Sequence, residues 1–364
     1  MLTCTMLGVL WQKSQTKHND MSKLILCIDG GGIRGAAATQ FLARTEQALQ
    51  AQHQLSLRDR VDFYAGTSTG AIIALALATT NLSMKKINAL YNERNARTIF
   101  TENRGFLEWD GVNAPKYESA GKTRVLKEYF ANATLQQAVA SHRHAMAITY
   151  GVEYHQPVII KSTEPHHLGL SSAAIADAST AAPTYFPSRP LLFPPDNQTR
   201  WLIDGGVVAN NPAMCALAEV RRLWADTPLN SIRMISVGTG KQARKTNGPA
   251  SQKWGALQWM RQGHLIDVLS DEQLVTYQML SLLEQGRCIR VNALMREQPG
   301  MPNPPDDAMD DISADNIKKL KEMGDLWFTL YGQQTVDLIM DEYNGPSLDA
   351  MDPVTGKPAL FKKG

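Results

Sequence analysis

Leu24-Ile25-Leu26-Cys27-Ile28-Asp29-Gly30-Gly31-Gly32-Ile33-Arg34-Gly35 is the stretch whose reading decides the fold. Lys23 to Ile28 has the length and apolar character of a buried strand, Asp29 to Gly35 is a glycine-rich turn, and Ala36 to about Ala51 carries helical patterning. The same order recurs at once: Val61 to Ala65 reads as a short strand, Gly66-Thr67-Ser68-Thr69-Gly70 as its turn, and Ala71 to Ala78 as an apolar helix. Two such units in succession predict parallel strands joined by helical crossovers.

Further along, Ala145 to Tyr150 and Pro157 to Lys161 read as paired strands. Trp201 to Ile203 reads as a short strand ending at Asp204-Gly205-Gly206, and Ile232 to Val237 as one ending at Gly238-Thr239-Gly240. Pro212 suits the first turn of a helix running to about Trp224. Asn103 to Gly121 reads as a surface loop, and Pro187 to Pro195 and Pro299 to Pro305 as ordered loops or short linkers. This alternation predicts an α/β fold in three layers, with a mostly parallel central sheet flanked by helices. Functional residues of such sheets gather beyond the carboxyl ends of the strands, where Asp29, Ser68 and Asp204 are expected.

Over 364 residues, 43% hydrophobic and 20% charged, the composition is that of a chain with a packed core. Lys and Arg number 37 against 35 for Asp and Glu, and a net charge of +2 supplies no field for a nucleic-acid polymer. Cys4, Cys27, Cys215 and Cys288 form no CxxC pair, which fits reduced thiols in a cytoplasmic protein. The most apolar run, Ala71 to Ala78, is far below the roughly 20 residues of a membrane-spanning helix. Met6 to Trp11 lacks the flanks of a signal peptide, so residues 1–20 are expected to be a disordered leader, with Met21 a second candidate start. The expected organisation is a catalytic core over 21–240 and a mainly helical extension over 241–364 packed on it.

Gly66-x-Ser68-x-Gly70 between a strand and a helix is the pattern of a nucleophile elbow, in which glycines permit a turn that lifts the serine hydroxyl to the helix N-terminus. A turn that merely caps the helix has the same spelling. Gly30-x-Gly32-x-x-Gly35 satisfies the dinucleotide fingerprint, but Asp29 would place a carboxylate beside a bound pyrophosphate. The other reading of Gly30, Gly31 and Gly32 is a row of N–H groups forming an oxyanion hole, with Arg34 positioning the loop or meeting an anionic head group. Serine needs a base. Only His264 follows Asp204 in the order a Ser/Asp/His triad requires, and it falls in a helical stretch, so a two-residue Ser68/Asp204 arrangement is the better reading and the triad the alternative. Asp204 in turn has a bland alternative, a β-turn aspartate bonded to its own backbone. His166-His167 has no companions at zinc spacing and reads as a loop.

Together, Asp29 to Gly35, Gly66 to Gly70 and Asp204-Gly205-Gly206 resemble the patatin-like phospholipases in sequence and order. The resemblance extends to Ser179-Thr180-Ala181-Ala182-Pro183-Thr184-Tyr185-Phe186, Ala209-Asn210-Asn211-Pro212 and Ser236 to Gly240, and to a tail with Arg290-Val291-Asn292, Asp310-Asp311 and a helix from Asn316 to Leu330. It implies a patatin fold and a Ser/Asp dyad without histidine: Ser68 as nucleophile, Asp204 as base, and Gly30, Gly31, Gly32 and Arg34 as the oxyanion region. It implies hydrolysis of fatty-acyl esters of membrane phospholipids, with no metal or cofactor required. With no spanning run, attachment at the inner face of the membrane is expected to be peripheral, through apolar surface such as Phe106 to Trp109 or Trp254 to Met260, aromatics that a core reading explains equally well. In size and in its Leu24 to Gly35 opening the chain is also similar to bacterial antiviral phospholipase effectors switched on by a cyclic dinucleotide. That likeness implies such an activator, bound on the hydrolase domain or at a homo-oligomer interface. Lys241, Arg244 and Lys245 form a basic patch that a solvated loop explains equally well.

Overall fold

The computed structural model describes residues 22–104, 114–241, 248–255, 258–259, 272–345, 348–351 and 358–360. Residues 1–20, Met21, Phe106 to Trp109, Arg244, Lys245, Met260 and His264 lie outside the described residues.

Ten strands are described: β1 (Lys23–Ile28), β2 (Phe63–Thr67), β3 (His144–Gly151), β4 (Gln156–Lys161), β5 (Arg189–Phe193), β6 (Gln198–Asp204), β7 (Ile232–Val237), β8 (Cys288–Val291), β9 (Leu348–Met351) and β10 (Pro358–Leu360). They form one sheet in the order β10-β9-β8-β7-β1-β2-β3-β6-β5, with β4 also on β3. Its middle, from β8 to β3, is parallel, and the pairs β3·β4, β3·β6, β5·β6 and β9·β10 are antiparallel. β2 and β7 are buried at every residue, as strands covered on both faces must be.

Alternate residues of the central strands feed two apolar layers. Leu24, Leu26, Ile28 and Tyr64 pack with the helices Gly35–His53, Thr69–Thr79 and Ala314–Met340, while Ile25, Cys27, Phe63 and Ala65 pack with Ala213–Leu223 and Gln273–Leu282. Thr69–Thr79 is buried along its whole length, which explains a sequence that is apolar on every face.

Several expectations are corrected. Pro187 to Pro195 is not simply loop, because it contains β5; a proline is tolerated there because β5 ends the sheet and needs no N–H on its outer side. The helix expected over Asn316 to Leu330 runs from Ala314 to Met340, opened by Ser313, whose hydroxyl accepts the Asn316 N–H, and continued by the buried Tyr331, Val336 and Ile339. Asp204 does lie at the carboxyl end of its strand, but β6 runs against the parallel strands, so it approaches Ser68 from the opposite direction.

Residues beyond Gly240 supply helices and also β8, which lies in the central sheet. Arg290 of β8 reaches across β7 to Asp29 at the end of β1, with Nη1 to Oδ1 at 2.9 Å and Nη2 to Oδ2 at 2.5 Å, and it also bonds Ser236 Oγ and Glu272. Both Asp29 and Arg290 are essentially inaccessible. Burial pushes the Asp29 carboxyl up to about 6, and the guanidinium beside it opposes that rise. Removing one partner strands the other charge in the core, so Arg290→Leu is expected to cost about 3–5 kcal/mol in urea unfolding. A loss below about 1 kcal/mol would show that the tie is dispensable.

Candidate active site

The site begins where β2 stops. Ser68 has φ 54° and ψ −125°, and the chain passes through it straight into the helix Thr69–Thr79. A serine in that conformation costs about 1–3 kcal/mol and persists only where its surroundings over-determine it. Here they do: a Cβ on Gly66 would lie 2.2 Å from Gly70 O, and one on Gly70 would lie 2.1 Å from Ile28 O. The turn is thus closed on itself and pressed against the end of β1.

Asp204 arrives through strand register. Thr67 of β2 stands opposite Ile148 of β3, and the next residue of β3, Thr149, stands opposite Asp204 of β6. Ser68 Oγ donates to Asp204 Oδ2 at 2.6 Å, and Asp204 Oδ1 accepts the Gly206 N–H at 2.7 Å. Gly205 sits over Ile148 O and heads the short helix Gly206–Ala209. Ser68 and Asp204 are 8% and 5% exposed, enough to admit a substrate atom but little bulk water. Burial raises the Asp204 carboxyl to about 6, while the Ser68 and Gly206 bonds and the Lys122 charge pull it down.

The glycine loop lies beside the serine, with Gly30 packed against Ser68 Cβ. Its bonds are unevenly distributed. Gly30 donates its N–H to Asn210 O at 3.1 Å and its carbonyl accepts Thr239 Oγ1 at 2.6 Å; Ile33 N–H bonds Met309 O at 2.9 Å. The N–H groups of Gly31 and Gly32 have no hydrogen-bond partner among the described residues. Gly32 has φ +58° with Met309 O against it, so only glycine fits. Arg34 is buried and donates from Nε to Gly31 O at 3.2 Å, which braces the loop from within. Gly35 packs against Thr69 and Tyr91 behind it.

Ser68, Asp204 and Gly32 open on a cleft whose walls include Ile72, Leu90, Ile99, Phe100, Leu126 and Phe186, an apolar surface suited to a hydrocarbon chain. Among the described residues one cation lines it. Lys122 is 2% exposed, donates to Asp177 O and Thr180 Oγ1 at 3.0 Å each, and pairs with Asp177 Oδ1 at 3.2 Å. Burial lowers its ammonium to about 8, with Asp177 acting in the opposite sense.

Lys122, Asn210, Thr239 and Arg290 take structural parts at this site that sequence reasoning did not assign. Asn210 and Thr239 lay inside noted motifs. Lys122 precedes Val125 and Leu126 by three and four residues, so helical periodicity alone puts it on the buried face. Among the described residues no group of three His, Cys, Asp or Glu side chains could hold a metal ion. His167 instead accepts Lys161 N–H at 3.2 Å and packs edge-on against Phe193.

Residues 26–217, more than half of the chain, match the family described as patatin-like phospholipase. The chain belongs to that family, whose members are serine-dependent lipid ester hydrolases. It is 27% identical over 339 residues to patatin-like protein 2 of Oryza sativa, covering 83% of this chain and 82% of the relative. It is also 30% identical over 275 residues to patatin-like protein 3 of Arabidopsis thaliana, covering 65% and 63%, and 27% identical over 329 residues to patatin-04/09 of Solanum tuberosum, covering 83% and 82%. Among solved structures, VipD from Legionella pneumophila aligns over 84% of this chain and 67% of its own at 10% identity and a TM-score of 0.39, too distant to bear on function.

A carboxylate that accepts the Ser68 proton must be ionised. Acylation of Ser68 by a soluble activated ester is therefore expected to be lost as pH falls through about 6, the midpoint set by Asp204. Lys122→Met removes the cation that favours the ionised form, so the midpoint of the kcat/KM profile should move to higher pH; an unmoved or lowered midpoint contradicts the electrostatic account.

Proposed function

We propose that this protein is a phospholipase A-type acyl hydrolase that cleaves fatty-acyl esters of membrane phospholipids through an acyl-serine intermediate, with Ser68 as nucleophile and Asp204 as its base. The observation that carries the reading is the 2.6 Å bond from Ser68 Oγ to Asp204 Oδ2, set beside unpaired glycine amides at the mouth of an apolar cleft. In the first half-reaction Asp204 takes the hydroxyl proton as Ser68 Oγ attacks the acyl carbonyl, and the Gly31 and Gly32 N–H groups receive the developing oxyanion. The proton returns to the departing lyso-lipid oxygen. In the second half, Asp204 takes a proton from a water as its oxygen attacks the acyl carbonyl, the bond to Ser68 Oγ breaks, and Asp204 returns the proton to that oxygen as the fatty acid leaves.

Substrate access calls for peripheral contact with a lipid surface, since among the described residues no helix is long and apolar enough to cross a membrane. Of the two aromatic stretches read as attachment candidates, Trp254 and Trp259 are described; their rings meet edge-on at 5.4 Å, and Trp259 is 38% exposed. A cyclic-dinucleotide activator and an antiviral role are a second proposal, resting on likeness in size and in the Leu24 to Gly35 opening. Lys241, the described member of the basic patch, stands 3.6 Å from Glu272.

Purified protein should release free fatty acid from phospholipid vesicles, and Ser68→Ala should lower release by about 10³-fold or more. Release that survives Ser68→Ala removes the nucleophile from the proposal. A near-normal rate in His264→Ala supports the dyad over the triad, and its abolition does the reverse. Running the assay with and without cyclic dinucleotides tests the activator: stimulation supports it, and an unchanged rate eliminates it.

A further inference from the structure

Ser179 opens the run Ser179 to Phe186, a motif of the resemblance to which the dyad chemistry gives no task. It is fully buried at the end of the helix Ser172–Ser179. Its hydroxyl donates to Ile148 O at 2.7 Å and accepts the Ser68 N–H at 2.9 Å. A hydroxyl has one proton. With that proton committed to Ile148, the oxygen facing Ser68 can act only as an acceptor, so the contact has a fixed sense.

We propose that Ser179 is a positioning residue for acyl transfer, holding the backbone of Ser68 in its strained conformation and fixing the distance between the two members of the dyad; the inference rests on the assignment of Ser68 as nucleophile. Ile148, whose carbonyl oxygen accepts the Ser179 hydroxyl, stands opposite Thr67, so one hydroxyl ties the elbow to the strand beside it. Two residues further on, Ala181 O accepts the Asp204 N–H at 2.9 Å. The backbones of nucleophile and base therefore hang from one short segment. That segment is anchored in turn, because Lys122 bonds Asp177 O and Thr180 Oγ1 and places a positive charge at the negative end of the helix dipole.

The arrangement also divides labour among the amides. The Ser68 N–H, which in a nucleophile elbow could face an oxyanion, is already occupied by Ser179, as the Gly30 N–H is by Asn210 O. The N–H groups of Gly31 and Gly32, without partners among the described residues, remain available to an oxyanion. Releasing the Ser68 amide by removing the Ser179 hydroxyl would leave a buried donor unpaired in a backbone already under strain, and the nucleophile would relax away from Asp204.

The test is the second-order rate of Ser68 labelling by a fluorophosphonate, with kcat and KM on a soluble aryl ester measured in parallel. Ser179→Ala should lower labelling and kcat together by about 10- to 100-fold while leaving KM within a few-fold of the parent. Ser172→Ala removes an equally buried hydroxyl, bonded to Thr79 at 2.9 Å, from the other end of the same helix, and should label at the parental rate. A parental labelling rate in Ser179→Ala, or an equal loss in Ser172→Ala, overturns the inference. Should Ser179→Ala not fold, Ser179→Cys keeps the size and supplies a poor acceptor; slowed labelling then supports the inference and an unchanged rate overturns it. Failure of the parent protein to label at Ser68 refutes the nucleophile assignment itself, whereas normal labelling with an unaffected Ser179→Ala refutes the positioning role alone.

Discussion

The bond between Ser68 Oγ and Asp204 Oδ2 depends on β3, which pairs along one edge first with β2 in parallel and then with β6 antiparallel, while β4 takes its other edge. Because side chains alternate along a strand, slipping either pairing by one residue would turn Asp204 to the opposite face of the sheet. The large apolar cores on both faces oppose such a slip. Stability of the sheet and geometry of the site are therefore one constraint, and strand register alone brings Ser68 and Asp204 together.

In the proposed dyad, burial has two opposing effects. Removing water from Asp204 raises its proton affinity, which a base requires, and carried too far the same effect would leave it protonated at neutral pH. Two N–H or O–H donors and the Lys122 charge hold it near 6, so the ionised form predominates at neutral pH. The core contains a second balanced carboxylate in Asp29, which Arg290 engages from a strand far along the chain. That tie fixes the end of β1 from which the glycine loop departs. Residues well beyond the family match thus support its first motif.

Much of this was legible in the sequence because the central elements are locally determined. Leu24 to Ile28 is a continuous apolar run and Ile232–Val237 is apolar except at Arg233 and Ser236; both end at glycine turns, and both strands fall where they were expected. Elements whose identity depends on tertiary pairing were not legible. β8 has only four residues, and β5 has a proline that its edge position alone excuses. The direction of β6 was hidden for the same reason, since no local pattern distinguishes a strand that joins antiparallel. At the site, Ser68, Asp204 and the glycines stand in spaced motifs, whereas the bonds of Ser179, Asn210 and Thr239 span more than a hundred residues and leave no local signature.

The most direct measurement is an acid quench of the reaction with an activated fatty-acyl ester in its first turnover, followed by peptide mapping of the protein. A hydroxyl activated by Asp204 predicts up to one equivalent of acyl group on the peptide carrying Ser68 and a strongly reduced amount in Asp204→Asn. Acyl group on any other residue, or undiminished acylation of Ser68 in Asp204→Asn, would contradict the pairing on which the site is built.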